Sequence, residues 1–345
     1  MKFRKITVVL TTLVMMMTLL AGCGTNAGKM SDDKINVVCT IFPQYDWIRE
    51  IVGDVENIEV TLLLKNGTDM HSYQATADDI ITVSNADVFI YVGGASDAWV
   101  DNALKQAANP DMKVVNMMDI LGDSLKEEEI VEGMESEHDH DDEEHSEDDV
   151  HDESDDHEEH SEEIEYDEHV WLSLNNSITL CNSITEVMCE VDAANRAIYE
   201  ENCKTYVEKI SALDEEYKNV VENSKYDTIL FGDRFPFVYM VKDYGINYYA
   251  AFVGCSAETE ASFETVTFLA ERLNEYGLPV VLTVEGSNQS LAKTIVENSK
   301  EKNQTILTMN SMQSVTEADI NNGATYISIM QDNLKVLEQA LGGTQ

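Results

Sequence analysis

Residues 193–222 of this 345-residue chain read AANRAIYEENCKTYVEKISALDEEYKNVVE, and they divide the sequence into two halves of similar pattern. The stretch contains no Gly or Pro, and its apolar residues recur at three- and four-residue spacing, as in an amphipathic helix. At 1.5 Å per residue such a helix is about 45 Å long, which is too long for a crossover between neighbouring strands. We therefore predict one long rigid helix that joins two lobes.

Both halves alternate apolar, strand-like runs with helical patterns. The predicted strands are 35–41, 58–64, 88–92 and 112–117 in the first half, and 228–231, 247–252, 279–284 and 305–309 in the second. The predicted helices are 43–52, 76–85, 96–108 and 175–190, then 237–244, 262–276, 289–302 and 325–341. Strands separated by single helices indicate a parallel sheet. The predicted fold class is α/β, with two lobes at 35–192 and 223–345, each a four-stranded mostly parallel sheet with flanking helices.

The N-terminus has the pattern of an export signal. Met1-Lys2-Phe3-Arg4-Lys5 is basic, and the apolar run at 6–20 is short for a membrane span. Leu20-Ala21-Gly22-Cys23 resembles the lipobox of bacterial lipoproteins, which implies removal of a signal peptide at 1–22 and a lipid on Cys23. Residues 23–34 would then tether the protein to the extracellular face of the cell membrane. The alternative is an uncleaved anchor.

Five cysteines remain after Cys23, namely Cys39, Cys181, Cys189, Cys203 and Cys255. None forms a CxxC pair, so a zinc site of the finger or ribbon type is not expected. We expect these cysteines to behave as small buried hydrophobic residues, with a disulfide between Cys39 and Cys255.

Residues 127–166 form an acidic stretch with no Lys or Arg, and more than half of the net charge of −44 lies between 127 and 168. Such self-repulsion predicts a disordered loop. Six histidines are interleaved with its carboxylates: His138, His140, His145, His151, His157 and His160. The loop is therefore a candidate low-affinity metal collector, and the alternative is a solubilising segment. A strongly acidic chain also makes nucleic acid and anionic lipid head groups poor partners.

Two histidines lie outside this loop in ordered context, His71 after the second strand and His169 just after the acidic stretch. In the second lobe, Asp233 and Glu285 each follow a predicted strand directly. Ligands of open α/β sheets bind at such strand ends. Two imidazoles and two carboxylates would make a closed metal site in the cleft between the lobes. The alternatives are buried hydrogen-bonding histidines, and helix caps for Asp233 and Glu285.

Two motifs give the chain a family resemblance. Thr68-Asp69-Met70-His71-Ser72-Tyr73 resembles an Asp-Pro-His motif, and Asp167-Glu168-His169-Val170-Trp171-Leu172 resembles an Asp-Pro-His-Val-Trp-Leu motif. Both belong to the zinc- and manganese-specific solute-binding lipoproteins of ABC importers. The resemblance covers nearly everything after Cys23, and the acidic His-rich loop favours the zinc branch. It implies that His71 and His169 are metal ligands and that the helix at 193–222 joins the lobes.

The resemblance departs from the family pattern at the third ligand. It places Gly232 where the family has His or Glu, and glycine has no side chain with which to coordinate a metal. Asp233 is the nearest replacement, and Glu285 falls on the fourth ligand position. A site of two imidazoles and two carboxylates suits Zn²⁺ and also Mn²⁺, because carboxylates favour harder ions.

The implied function is that a monomeric binding protein captures a divalent metal ion and delivers it to an ABC transporter permease. Zn²⁺ is the favoured ion, and Mn²⁺ is the alternative. An enzyme is not expected, since the chain contains no His-Glu-x-x-His or comparable helix motif. The remaining alternative is a surface protein for metal buffering or adhesion, in which the loop is the functional part.

Overall fold

The computed structural model of this chain describes residues 34–135, 165–254 and 260–343. The predicted signal peptide, Cys23, Cys255 and the six loop histidines lie outside the described residues.

The first lobe contains a four-stranded sheet in which every pair of neighbouring strands is parallel. Its strands are β1 (Ile35–Cys39), β2 (Ile58–Leu62), β3 (Val88–Tyr91) and β4 (Lys113–Asn116), in the order β2-β1-β3-β4. Its helices are α1 (Phe42–Val52), α2 (Ala77–Ser84), α3 (Val100–Leu104), α4 (Met117–Leu121) and α5 (Leu174–Val191). Thr76 caps α2 and Ser173 caps α5, each through a side-chain oxygen that accepts a backbone N–H.

The second lobe repeats this plan with a second all-parallel sheet. Its strands are β5 (Thr228–Phe235), β6 (Asn247–Val253), β7 (Val280–Val284) and β8 (Thr305–Met309), in the order β6-β5-β7-β8. After the lobe-joining helix α6 (Arg196–Glu222), its helices are α7 (Val238–Tyr244), α8 (Phe263–Tyr276), α9 (Ser290–Asn298), α10 (Glu317–Asn321) and α11 (Tyr326–Ala340). Gly245 and Gly277 end α7 and α8 in the left-handed conformation.

The predicted fold class is therefore confirmed, including the long helix. The helix α6 begins at Arg196 and has 27 residues, so it is about 40 Å long at 1.5 Å per residue. Its buried side chains pack against α5, α1 and α11. Asp192 ends α5 and accepts a hydrogen bond from the Tyr199 hydroxyl at 2.8 Å.

One hydrophobic core continues through both lobes. It includes buried residues of both sheets and of the two longest helices, α5 and α6. The C-terminal helix α11 returns to the first lobe, where the Tyr326 ring meets the edge of Trp47 at 5.3 Å between centroids. The Tyr326 backbone N–H also donates to Asp46 of α1 at 2.8 Å. The two lobes are therefore packed together rather than joined by α6 alone.

Three local predictions are wrong. The predicted helix at 96–108 is broken into a 3₁₀ turn at Ala95–Asp97 and the short α3, because the Asp97 carboxylate folds back to accept the N–H groups of Val92 and Gly93. The predicted disulfide at Cys39 is not formed, since Cys39 is a free thiol buried at the end of β1. Asp233 does not follow β5, because that strand continues to Phe235.

The acidic loop is ordered at both described ends, in contrast to the prediction for 127–166. Glu127 and Tyr166 form an antiparallel bridge, and the Glu128 N–H donates to the Glu165 carbonyl at 2.9 Å. Glu135 then pairs with β6 of the second lobe. This order has a local cause, because Met134 is buried and supplies apolar contact area.

Among the described residues, the structure contains no helix long and apolar enough to cross a lipid bilayer.

Candidate metal centre

The two histidines outside the acidic loop are presented by the same local turn. In each case an Asp two residues earlier accepts the backbone N–H of the histidine, at 3.1 Å from Asp69 to His71 and at 2.8 Å from Asp167 to His169. Such Asx turns are characteristic of Asp side chains. A 3₁₀ turn accompanies each, at Met70–Ser72 and Val170–Leu172. The Asp-x-His spacing therefore fixes the backbone that aims each imidazole.

These turns bring His71 and His169 together at one point of the cleft. Their Nε2 atoms lie 3.1 Å apart, the His169 side chain is fully buried, and the His71 side chain is 11% exposed. Zinc–imidazole bonds are about 2.0–2.1 Å long. If one ion bound both Nε2 atoms at their present separation, the angle between its two zinc–nitrogen bonds would be about 100°. That angle is close to tetrahedral, and the pair therefore fits a single Zn²⁺ ion.

The opposite nitrogen of each ring is held by an oxygen. His169 Nδ1 lies 3.1 Å from Asp167 Oδ1, and His71 Nδ1 lies 2.8 Å from Ser96 Oγ and 3.5 Å from Glu168 Oε2. The Ser96 backbone N–H donates to the other oxygen of Glu168 at 2.9 Å. An ionised carboxylate can only accept hydrogen bonds, so the carboxylates of Asp167 and Glu168 favour the imidazole tautomer that carries its hydrogen on Nδ1. Both Nε2 lone pairs then point into the cleft, as metal ligation requires.

The electrostatics keep His71 neutral. Its burial, followed by the neighbouring His169, lowers the pKa of His71 from its usual value to about 3. Arg234 lies close by and pairs with Asp69. Burial would raise the pKa of Asp69, but Arg234 and His71 outweigh it, and the pKa is lowered overall. A neutral imidazole is the form that binds a metal ion.

The carboxylates predicted from the second lobe line a neighbouring cavity of about 380 Å³. Glu285 follows β7 as predicted, and its two oxygens accept hydrogen bonds from the loop after β8, from Ser311 N and Oγ at 2.7 Å each and from Gln313 N at 3.2 Å. Asp233 accepts from Arg234 N at 2.9 Å and from Val284 N at 3.4 Å. Within the described residues, no three His, Cys, Asp or Glu side chains are grouped closely enough to hold an ion.

Gly232 lines the same cavity, but a side chain at this position would start toward the packing of its own lobe. A Cβ on Gly232 would lie 2.8 Å from Ala292 Cα and 3.1 Å from Ile295 Cδ1, both in α9. The strand register of β5 shifts between Phe231 and Arg234, which places Asp233 in the irregular part of the strand. A side chain at position 232 therefore has no room beside α9.

A glutamine that the sequence did not single out completes the arrangement. Gln313, four residues after β8, is 2% exposed, and its side-chain nitrogen lies 2.9 Å from His71 Nε2 and also within hydrogen-bond distance of His169 Nε2. Ser96 and Glu168 were likewise not assigned roles. The sequence signal that could have identified Gln313 is its position. It follows the carboxyl end of a strand, at the edge where ligands of open sheets bind.

The comparisons with known proteins identify the family of this chain. Residues 37–340 match the family described as zinc-uptake complex component A, periplasmic. The zinc-binding lipoprotein AdcA of Streptococcus pneumoniae serotype 4 is 30% identical over 315 residues, which cover 90% of this chain and 56% of AdcA. The chain therefore spans just over half the length of that relative.

Two further matches cover almost all of the other protein. The high-affinity zinc uptake system protein ZnuA of Bacillus subtilis is 27% identical over 327 residues, which cover 94% of each chain. The crystal structure of the Zn(II)-bound ZnuA-like domain of Streptococcus pneumoniae AdcA has a TM-score of 0.66 and 25% identity, and the match covers 89% of this chain and 99% of that domain. The chain belongs to the zinc-uptake complex component A family.

Proposed function

We propose that this protein captures Zn²⁺ outside the cytoplasm and delivers it to an ABC transporter permease. The observation that carries the proposal is the convergence of the two imidazoles, whose Nε2 atoms lie 3.1 Å apart with Asp167, Ser96 and Glu168 behind them. Two buried lone pairs so close together repel each other unless a cation or a hydrogen-bond donor lies between them. The relatives' names, which refer to zinc binding and zinc uptake, support the same cargo.

The proposed ligands are His71 and His169 from the first lobe, with Glu285 and Asp233 from the second. Both carboxylates line one cavity, which Asp69 of the turn that carries His71 also lines. A site that takes ligands from both lobes would hold them against one ion. Four protein ligands also leave no open coordination position, which suits binding and release rather than catalysis. No catalytic residue is proposed.

The decisive experiment measures zinc stoichiometry and affinity by competition with a chelating dye. Wild-type protein is expected to bind one ion tightly. His71→Ala and His169→Ala are each expected to weaken that site by more than about 100-fold, which exceeds the 10–100-fold loss typical of a positioning partner. Unchanged tight binding in either variant would exclude the cleft as the site. Parallel titrations with Mn²⁺ test the alternative cargo, because carboxylate ligands also suit that harder ion.

A second variant separates the cleft from the acidic loop. Replacing residues 136–164 with a short Gly-Ser linker removes the six loop histidines and keeps the anchored ends at Glu135 and Glu165. One tight ion should remain, and only weaker sites should be lost, because ligands in a segment whose sequence predicts disorder lose ordering entropy on binding. Loss of the tight ion would instead support metal buffering by the loop.

The remaining parts of the proposal concern location and partners. Cys23 would carry a lipid that holds the protein at the extracellular face of the membrane. A Cys23→Ala variant is then expected to leave the membrane fraction for the soluble one. The protein would act as a monomer, and light scattering of the purified protein measures this directly. Zinc-dependent growth of cells that lack a candidate permease tests the partner.

A further inference from the structure

Gln313 is positioned between the two proposed histidine ligands rather than beside them. Its side-chain nitrogen lies 2.9 Å from His71 Nε2 and within hydrogen-bond distance of His169 Nε2. A carboxamide NH₂ group carries two N–H donors, one for each lone pair. The oxygen of the amide would be repelled at this place, since both imidazoles present acceptors there. The lone pair of the amide nitrogen is delocalised into the carbonyl and does not bind a metal ion, so this orientation blocks the point where the imidazole lone pairs converge.

The loop that carries Gln313 is fixed at several places. The Trp171 indole N–H donates to the Ser311 carbonyl at 2.8 Å, and Glu285 accepts the N–H groups of both Ser311 and Gln313. Met312 between them has a φ of +64°, which an L residue rarely adopts. Its N–H donates to the Asn310 side chain at 2.7 Å, which supports this turn. The carboxamide is therefore held at the histidines by its own backbone.

We propose that Gln313 is a built-in competitor of the metal ion and sets the affinity of the site. This inference rests on the proposed function. An ion that binds His71 and His169 must displace the carboxamide and break both of its hydrogen bonds. Glu285 accepts one hydrogen bond from Gln313 and two from Ser311, so movement of Gln313 together with this loop would also release the carboxylate toward the ion. Capture thus exchanges one hydrogen-bonded arrangement of the 311–313 loop for another, and release restores the first.

The test compares zinc affinity in Gln313→Ala, Gln313→Leu and wild-type protein. Each displaced hydrogen bond contributes a modest net free energy, so removal of both should tighten zinc binding about 10-fold. Gln313→Leu keeps most of the side-chain volume. It therefore controls for a rearrangement of the loop around the space left in Gln313→Ala. Gln331→Ala, at an exposed position of α11, serves as the matched control and should bind as the wild type does.

A second measurement uses chelator-treated protein. Long-range ¹H–¹⁵N spectra report the imidazole nitrogens separately, and Gln313→Leu should shift the Nε2 signals of His71 and His169 while their Nδ1 signals stay in place. Unchanged Nε2 signals, or zinc binding that is unchanged or weaker in both variants, would overturn the proposal. Weaker binding would mean that the amide oxygen is a ligand. Wild-type protein that binds no zinc would instead defeat the proposed function itself.

Discussion

Replacing Gly232 tests whether the third ligand of the family pattern can be restored in this chain. A Cβ at this position would lie 2.8 Å from Ala292 Cα, 3.0 Å from Ala292 Cβ and 3.1 Å from Ile295 Cδ1. Carbon atoms normally approach to about 3.5–4.0 Å, so α9 would have to move by roughly half an ångström or more. The nearest atom belongs to the helix backbone, which no rotamer change relieves. Overpacking of this kind costs about 1–3 kcal/mol.

We therefore expect Gly232→Ala to lower the free energy of unfolding by about 2 kcal/mol. Gly232→His should lower it further, because the ring must also enter the space between β5 and α9. Zinc affinity should not improve in either variant, since the new side chain starts toward α9 rather than toward His71 and His169. Urea unfolding followed by circular dichroism measures the first effect, and dye competition measures the second.

A double variant identifies the clash as the cause. Ala292→Gly removes the methyl carbon 3.0 Å from the new Cβ, although the nearer Cα remains. Gly232→Ala combined with Ala292→Gly should therefore be less destabilised than the sum of the two single variants, by about 1 kcal/mol. If Gly232→His unfolds at the wild-type urea concentration and binds zinc 10-fold more tightly, the packing argument is refuted.

Two further substitutions test buried carboxyl groups. Burial raises the pKa of Asp46 from 3.8 to about 6, so the folded state binds the carboxyl proton more tightly than the unfolded state does. The free energy of unfolding should therefore fall by up to about 3 kcal/mol as pH rises from about 4 to 6. Urea unfolding from pH 4 to 7 should show a flatter profile for Asp46→Asn, whereas Asp54→Asn, at an exposed position, should keep the wild-type slope. Glu168→Gln removes the carboxylate that lies 3.5 Å from His71 Nδ1, and it should weaken zinc binding about 10-fold. Glu186→Gln, at an exposed position, is the control. Equal zinc affinities of Glu168→Gln and the wild type would exclude a positioning role for Glu168.

Much of the fold was predictable because it is encoded locally. The alternation of apolar runs and helical patterns predicts two parallel sheets, and the glycine-free stretch at 193–222 predicts the helix between them. Failures occurred where a side chain competes with the helix. Asp97 bonds the backbone N–H groups of Val92 and Gly93 and so interrupts the predicted helix at 96–108. Short polar side chains offer the backbone such alternatives, and periodicity does not show them.

The candidate site was predictable only in part, for a physical reason. His71 and His169 carry a local signal, the Asp two residues before each that forms an Asx turn. Gln313 has no such signal, because it reaches His71 across 242 residues of sequence and through the packing of two lobes. The direction in which a side chain at position 232 would point depends on a register shift within β5, and sequence patterns do not specify such a shift.

The contacts between the lobes bear on how the proposed site would release its ion. Arg234 pairs with Asp69 across the cleft, and Trp171 donates to the Ser311 carbonyl, so lobe contact does not depend on metal alone. A competitor in the same chain acts at a fixed effective concentration, unlike a solute. In the proposed cycle the Gln313 amide would bond both imidazoles once the ion has left, and the imidazoles would not recapture zinc until the amide moved. Under the proposed function, an affinity lowered in this way would favour transfer, because a permease would have to compete only with the weakened site.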